Sequence, residues 1–175
     1  MPNSTTNPPV EIAIAPFTVA TPFCGHPVPA SSSVTAYAYY MSRVFAAGSF
    51  VTSGVKYLSG SASAKVRAVL CDAGGTVLAS SALVPTLNGG TAGEKTLAWT
   101  TPYAVTGPAT LFIGLQSEST ANVLSTYTVA AATITGFLGG ISPDTAGSSY
   151  ALPTSGVISV PTAYAVSTAP VVSLY

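Results

Sequence analysis

The segment 64–79 constrains the fold most, because its residues alternate with a period of two and then turn back. Lys65 and Arg67 alternate with small or apolar residues, which is the pattern of a strand with one buried face. The apolar members are Ala64, Val66, Ala68 and Leu70. The turn residues 72–75 include two glycines that accept positive φ, and the run 76–84 then returns. The segment therefore predicts a β-hairpin.

The same features recur from Val34 to the end of the chain. No stretch shows a 3.6-residue period, and Val, Thr, Tyr, Ser, Ala and Gly predominate, which suits strands joined by turns. The further predicted strands are 34–45, 50–58, 94–100, 111–116, 127–137 and 164–174. About eight strands at these spacings predict an all-β fold, an antiparallel β-sandwich of jelly-roll type. Residues 139–161, rich in Gly, Ser and Pro, are predicted to form a long surface loop.

Residues 1–33 differ from the rest, since they hold seven of the fourteen prolines. Proline has no N–H for a strand ladder, so this region can form an edge strand or an extended arm. We divide the chain into an extended Pro-rich N-terminal arm, residues 1–33, and a β-sandwich domain, residues 34–175. The apolar content of the arm favours docking on a partner over a free terminus. The candidate partner-binding side chains are Ile12, Ile14, Phe17 and Phe23.

Charge is scarce: charged residues make up 6% of the chain, with five basic and five acidic side chains and a net charge of zero. This excludes a basic nucleic-acid reader, because counterion release requires clustered Lys or Arg. A chain of so little charge is weakly protected against association. We therefore expect it to work inside an assembly, as a symmetric homo-oligomer for which we assume a trimer.

No membrane partner is expected. The most apolar run, residues 129–141, is shorter than the ~20 residues of a spanning helix and contains three glycines. The first nine residues lack the basic and apolar regions of a secretory signal. The expected place of synthesis is a host cytoplasm, from which the protein reaches its destination by assembly.

The one histidine, His26, lies two residues after Cys24. A structural zinc site needs four ligands, and the chain offers beyond these two only Cys71 and scattered acids. We therefore expect no metal, no cofactor and no catalytic residue, and interpret this stretch as a turn in the arm. Spacing does not decide whether Cys24 and Cys71 form a disulfide, but cytosolic synthesis favours two separate buried thiols.

The acidic residues also favour a non-enzymatic protein. They are Glu11, Asp72, Glu94, Glu118 and Asp144. Glycoside hydrolysis requires two carboxylates about 5–10 Å apart at one cleft. Asp72 lies in the predicted turn and Glu94 lies beside Lys95 at a strand start, so each has a structural role to fill. Nine Tyr, six Phe and one Trp remain, and they suit a core, a protein interface or a sugar-stacking surface.

From Tyr40 onward the chain resembles a jelly-roll or β-sandwich module of tailed-phage virion proteins. The matching segments are 43–45, 65–81, 107–116 and 169–175. Where that module has Tyr or Phe before the hairpin aspartate, this chain has Cys71, which affects packing rather than chemistry. The resemblance implies no catalytic residues.

The resemblance implies a head decoration (cement) protein or a fibre component. The first expectation is a non-enzymatic virion protein that stabilises the head through contacts with the major capsid protein or other virion proteins. The alternative is a receptor- or glycan-binding tail fibre or spike, with residues 88–93 and 139–161 as binding loops.

Overall fold

The computed structural model describes residues 29–33, 36–61, 65–82, 92–119, 123–127, 139–145, 156–162 and 169–175. These residues form ten strands and no helix, so none of the described segments could cross a membrane as a helix. The strands are β1 (Pro29–Ser33), β2 (Ala38–Ala46), β3 (Phe50–Ser61), β4 (Val66–Asp72), β5 (Val77–Ser80), β6 (Gly93–Val105), β7 (Ala109–Ser117), β8 (Val123–Tyr127), β9 (Gly139–Thr145) and β10 (Val172–Leu174).

The strands form two antiparallel sheets of five. Sheet A contains β1, β8, β3, β10 and β6, and sheet B has the order β5-β4-β7-β2-β9. The first eight strands pair as a nested set: β1 with β8, β2 with β7, β3 with β6, and β4 with β5. This nested pairing across two sheets is the jelly-roll arrangement. The prediction of an all-β antiparallel sandwich is confirmed.

The predicted hairpin is β4 and β5. The core side chains of β4 are Val66, Ala68 and Leu70, which lie between the sheets. The Oδ1 atom of Asp72 accepts hydrogen bonds from the backbone N–H groups of Gly74, at 2.9 Å, and Thr76, at 2.8 Å. This carboxylate therefore closes the turn, the local backbone bonding for which aspartate is favoured there.

The core between the sheets is made of inward-facing apolar rows. Among the largest buried side chains are Tyr57, Leu97, Ile113 and Leu115. One side of the sandwich is closed where β5 meets β6, because Ser81 forms a bridge with Trp99 and the Thr100 hydroxyl donates to the Ser80 carbonyl at 3.1 Å. The two sheets are thus joined along this side by main-chain and hydroxyl contacts.

The prediction of a surface loop over residues 139–161 is wrong for its first seven residues. Residues Gly139–Thr145 form the edge strand β9, which pairs with β2. An edge strand tolerates proline, so Pro143 does not prevent pairing there. Residues 156–162 pack on the outer face of sheet B, and residues 146–155 lie outside the described part.

We call residues 156–162 the strap. Its Ile158 is 1% exposed and packs on the outer-face side chains Tyr39, Met41, Val69, Cys71 and Phe112. The Ile158 N–H donates to the Gly75 carbonyl at 2.9 Å, and the Ser142 hydroxyl donates to the Ser159 carbonyl at 2.7 Å. The part of sheet B around Ile158 is therefore buried between the sandwich core on one face and the strap on the other, while Phe45, farther along the outer face of β2, is 51% exposed.

The remaining predictions of the arm and of the last strands overlap the observed strands only in part. The last five residues of the predicted arm are β1, an edge strand that pairs with β8, and residues 1–28 lie outside the described part. Strand β8 ends at Tyr127, where the predicted strand 127–137 begins, and residues 128–138 are outside the description. Of the predicted strand 164–174, residues Val172–Leu174 form β10, with 163–168 not described.

Replacing Gly75 by alanine should loosen the strap. Gly75 has φ +88°, and an added Cβ would collide with the carbonyl oxygen of Ile158. We expect Gly75→Ala to lower the free energy of unfolding by about 1–3 kcal/mol. The neighbouring Gly74→Ala is the matched control, because its Cβ would meet Asp72 Oδ1 at 3.4 Å, an ordinary contact. Urea denaturation measures both, and equal losses would contradict this account.

Candidate interaction surface

The described residues hold no cluster of three or more His, Cys, Asp or Glu side chains that could bind a metal ion. Three of the acids have defined partners: Asp72 in its turn, Glu94 with Lys56 at 3.1 Å, and Glu118 with Lys65 at 3.6 Å. Glu94 thus pairs across strands. Of the other polar residues considered in the sequence, Asp144 lies in β9, and Glu11, Cys24 and His26 lie outside the described residues.

Cys71 is a free thiol with no exposed surface, and it packs in the cluster under the strap. Burial, and to a smaller extent the negative charge of Asp72, raise the pKa of this thiol to about 12. A thiol that stays protonated and inaccessible is neither a nucleophile nor a metal ligand at neutral pH. The prediction of a small buried thiol is confirmed for Cys71.

Alkaline pH should therefore destabilise the fold through Cys71. The ordinary pKa is 9.0 and the folded value is about 12, so above pH 9 the unfolded chain loses a proton that the folded chain keeps. Stability is fully present below pH 9 and falls as pH rises toward 12. Comparing Cys24→Ala with Cys24→Ala/Cys71→Ala isolates this one thiol. The free energy of unfolding, measured from pH 8 to 11, should fall less steeply in the double variant, and identical slopes would refute the assignment.

The outer face of sheet A is a broad exposed sheet surface in the described part of the chain. Along β6, the exposed residues Glu94, Thr96 and Ala98 alternate with the buried Leu97 and Trp99. The register of β3 and β6 pairs Lys56 with Thr96, Gly54 with Ala98, and Val51 with Ala104. Cross-strand partners share a face, so these residues lie on one outer surface, which we call the A face, with a register shift in the pairing between Thr52 and Gly54.

The A face is nearly uncharged in its described part. Lys56 and Glu94 form an ion pair whose side chains are 44% and 60% exposed. Such an exposed pair contributes little to stability, but its two charges cancel. The remaining members are small, hydroxylated or apolar, and Val51 is 65% exposed. The result is a sheet surface with no net charge and side chains that are inexpensive to desolvate.

Tyr175 adds an aromatic ring to the A face. The Tyr175 main-chain oxygen accepts hydrogen bonds from the Ser53 N–H at 2.6 Å and from the Thr52 hydroxyl at 3.0 Å. Its ring lies over Gly54, where an added Cβ would be 2.6 Å from ring atom Cε1. The ring is 39% exposed, so it is fixed in place and still accessible.

The side chains predicted to bind a partner are not the ones that the structure places on this face. Ile12, Ile14, Phe17 and Phe23 lie outside the described residues, as does most of the predicted binding loop 88–93. The A face itself was not identified from sequence. The alternation from Glu94 to Thr100 carried the relevant information, because it marks every second residue of β6 as exposed.

Comparison of the chain with protein-family models, with curated protein sequences and with solved structures gives no match.

Proposed function

We propose that this protein is a non-enzymatic structural protein of a bacteriophage virion that decorates and cements the head through protein–protein contacts. The observation that carries the proposal is the neutral, exposed A face. Protein interfaces are depleted of charge at their centres and enriched in aromatic residues. The A face has one internally neutralised ion pair and the fixed ring of Tyr175, so a neighbour can cover it without burying an unpaired charge.

The fold supports the proposal by analogy. Jelly rolls occur in viral capsid domains and in lectins, and a fold by itself does not select a function. The virion location rests on the resemblance of segments such as 65–81 and 107–116 to phage modules. In the proposed arrangement the major capsid protein or another virion protein, and further copies of the chain in a trimer, lie against the sandwich.

A receptor- or glycan-binding fibre component is the second candidate. The specific observation in its favour is Tyr175, whose ring lies over Gly54 next to the exposed Ser53 and is accessible at the surface. A fixed, accessible aromatic ring suits stacking on a sugar. Saturable binding on a glycan array that Tyr175→Ala removes would favour this candidate over the structural one.

A charge placed on the A face should block assembly. Ala98 is exposed at the centre of β6, and Ala98→Arg would bury an unpaired guanidinium wherever a neighbour covers the face. We expect more than about a tenfold loss of affinity for phage heads prepared without the protein, together with a smaller oligomer by native mass spectrometry. Co-sedimentation measures the head binding.

Ala73→Arg is the matched control. Ala73 is exposed, as Ala98 is, but it lies in the turn between β4 and β5 of sheet B. Both variants should unfold within about 0.5 kcal/mol of the wild type, since exposed substitutions away from special features are usually that mild. Unchanged head binding and oligomer size for Ala98→Arg, or equal losses for the two variants, would contradict the A face as the interface.

The proposed docking arm has its own test. Because β1 begins at Pro29 and belongs to sheet A, the informative deletion removes residues 2–28 and leaves that strand intact. We expect the truncated protein to keep the β-rich circular dichroism spectrum of the full chain and to lose co-sedimentation with heads. A truncated protein that binds heads as the full chain does would eliminate the arm as a docking element.

A further inference from the structure

A row of polar side chains crosses the otherwise apolar outer face of sheet B. Tyr39 on β2 lies opposite Gln116 on β7, and Gln116 lies opposite Arg67 on β4. Cross-strand partners share a face, so all three side chains leave the sheet on the side that the strap covers. The next row toward the strap cluster is apolar and contains Met41 and Val69.

Two polar atoms in this row are buried and have no hydrogen-bond partner among the described residues. They are the hydroxyl oxygen of Tyr39 and the Oε1 atom of Gln116. Tyr39 is 1% exposed and Gln116 is fully buried. The Nε2 group of Gln116 donates to the Tyr37 carbonyl at 2.8 Å, and this bond fixes the amide so that Oε1 remains an acceptor.

Tyr39 is packed in the apolar outer-face cluster and is 1% exposed, so its hydroxyl lies away from bulk solvent. At Gly114 an added Cβ would be 2.8 Å from Val69 Cγ2 and 3.3 Å from Met41 Cε, whereas Tyr39 Cδ1 would be in ordinary contact at 3.5 Å. The absence of a side chain at Gly114 therefore makes room for Val69 and Met41, which pack beside the ring. A buried polar atom left without a partner lowers the folding equilibrium constant by roughly five- to a hundredfold, so two of them in one row require a partner.

We propose that this row is an internal water site, in which bound water accepts a hydrogen bond from the Tyr39 hydroxyl and donates one to Gln116 Oε1. Water is the ligand whose chemistry fits, because it supplies the acceptor and the donor that these two atoms need. An internal water typically makes two to four hydrogen bonds, and the site offers the Tyr39 hydroxyl and the Gln116 amide oxygen. The site is independent of the A face and of the proposed virion function.

The electrostatic environment agrees with this geometry. Burial raises the pKa of Tyr39, while the nearby positive charge of Arg67 lowers it and Cys71 raises it. The net shift is upward, so the hydroxyl is protonated at neutral pH and available as a donor. Arg67 also donates to the Ser80 hydroxyl at 3.5 Å, which places its guanidinium at the β5 side of the row.

The test is the variant Tyr39→Phe. The sign of its change in the free energy of unfolding distinguishes a hydroxyl that is bonded to water from one that has no partner. If water satisfies the hydroxyl, the variant loses a hydrogen bond and its unfolding equilibrium constant rises by about fivefold. If the hydroxyl has no partner, removing it relieves a penalty and the urea midpoint rises instead. Water-oxygen magnetic relaxation dispersion counts long-lived internal waters in the same samples, and the signal should decrease in Tyr39→Phe.

Tyr40→Phe is the control for the hydration measurement. Tyr40 is equally buried but belongs to the core between the sheets, on the opposite face of β2. Its variant should leave the contribution from the Tyr39 site unchanged. A raised urea midpoint in Tyr39→Phe, or a relaxation signal equal to that of the wild type, would overturn the proposal. The comparison uses variants whose near-ultraviolet circular dichroism, which reports the packing of Trp99, matches that of the wild type.

Discussion

The packing of the strap on sheet B gives this sheet a second covered face. Strand β7 has seven consecutive buried residues, which an antiparallel strand reaches only when both of its faces are covered. The core covers one face, and Ile158 of the strap covers the other. The strap thus covers the part of sheet B around Ile158, whereas Phe45, on the same face of β2, is 51% exposed and the A face is open along β6.

Because charged residues are scarce, neutral hydrogen bonds rather than ion pairs connect distant segments of this sandwich. The described ion pairs, Lys56–Glu94 and Lys65–Glu118, are both partly exposed and contribute little. Long-range connections instead use neutral hydroxyl groups that donate to main-chain carbonyls. Ser42 donates to Pro170 at 2.6 Å and Ser142 donates to Ser159 at 2.7 Å, and these bonds attach the segment before β10 and the strap to sheet B.

The fold was predictable from sequence wherever the information was local. The β4–β5 hairpin follows from alternation and from Asp72 in a Gly-rich turn, and the fold class follows from repeating that pattern. Strand β9 was missed because Gly139, Gly140 and Pro143 read as a loop, although an edge position tolerates them. The strap was missed because its placement depends on contacts between Ile158 and residues more than forty positions earlier, and no local period encodes these.

The A face and the strap-covered face of sheet B differ in where their polar groups lose contact with bulk solvent. On the A face this would happen when a partner binds, and under the strap it happens on folding. On the A face the uncharged side chains lie where a partner can exclude water at little cost. Under the strap, Tyr39 and Gln116 are polar where bulk solvent is excluded, so their hydrogen bonds must be supplied inside the fold, as the proposed internal water does. Neutral hydrogen bonds hold the strap itself, and they do not titrate near neutral pH. We therefore expect salt and moderate pH to affect the described part of the fold little, and alkaline pH to weaken it, because the Cys71 thiol ionises more readily in the unfolded chain.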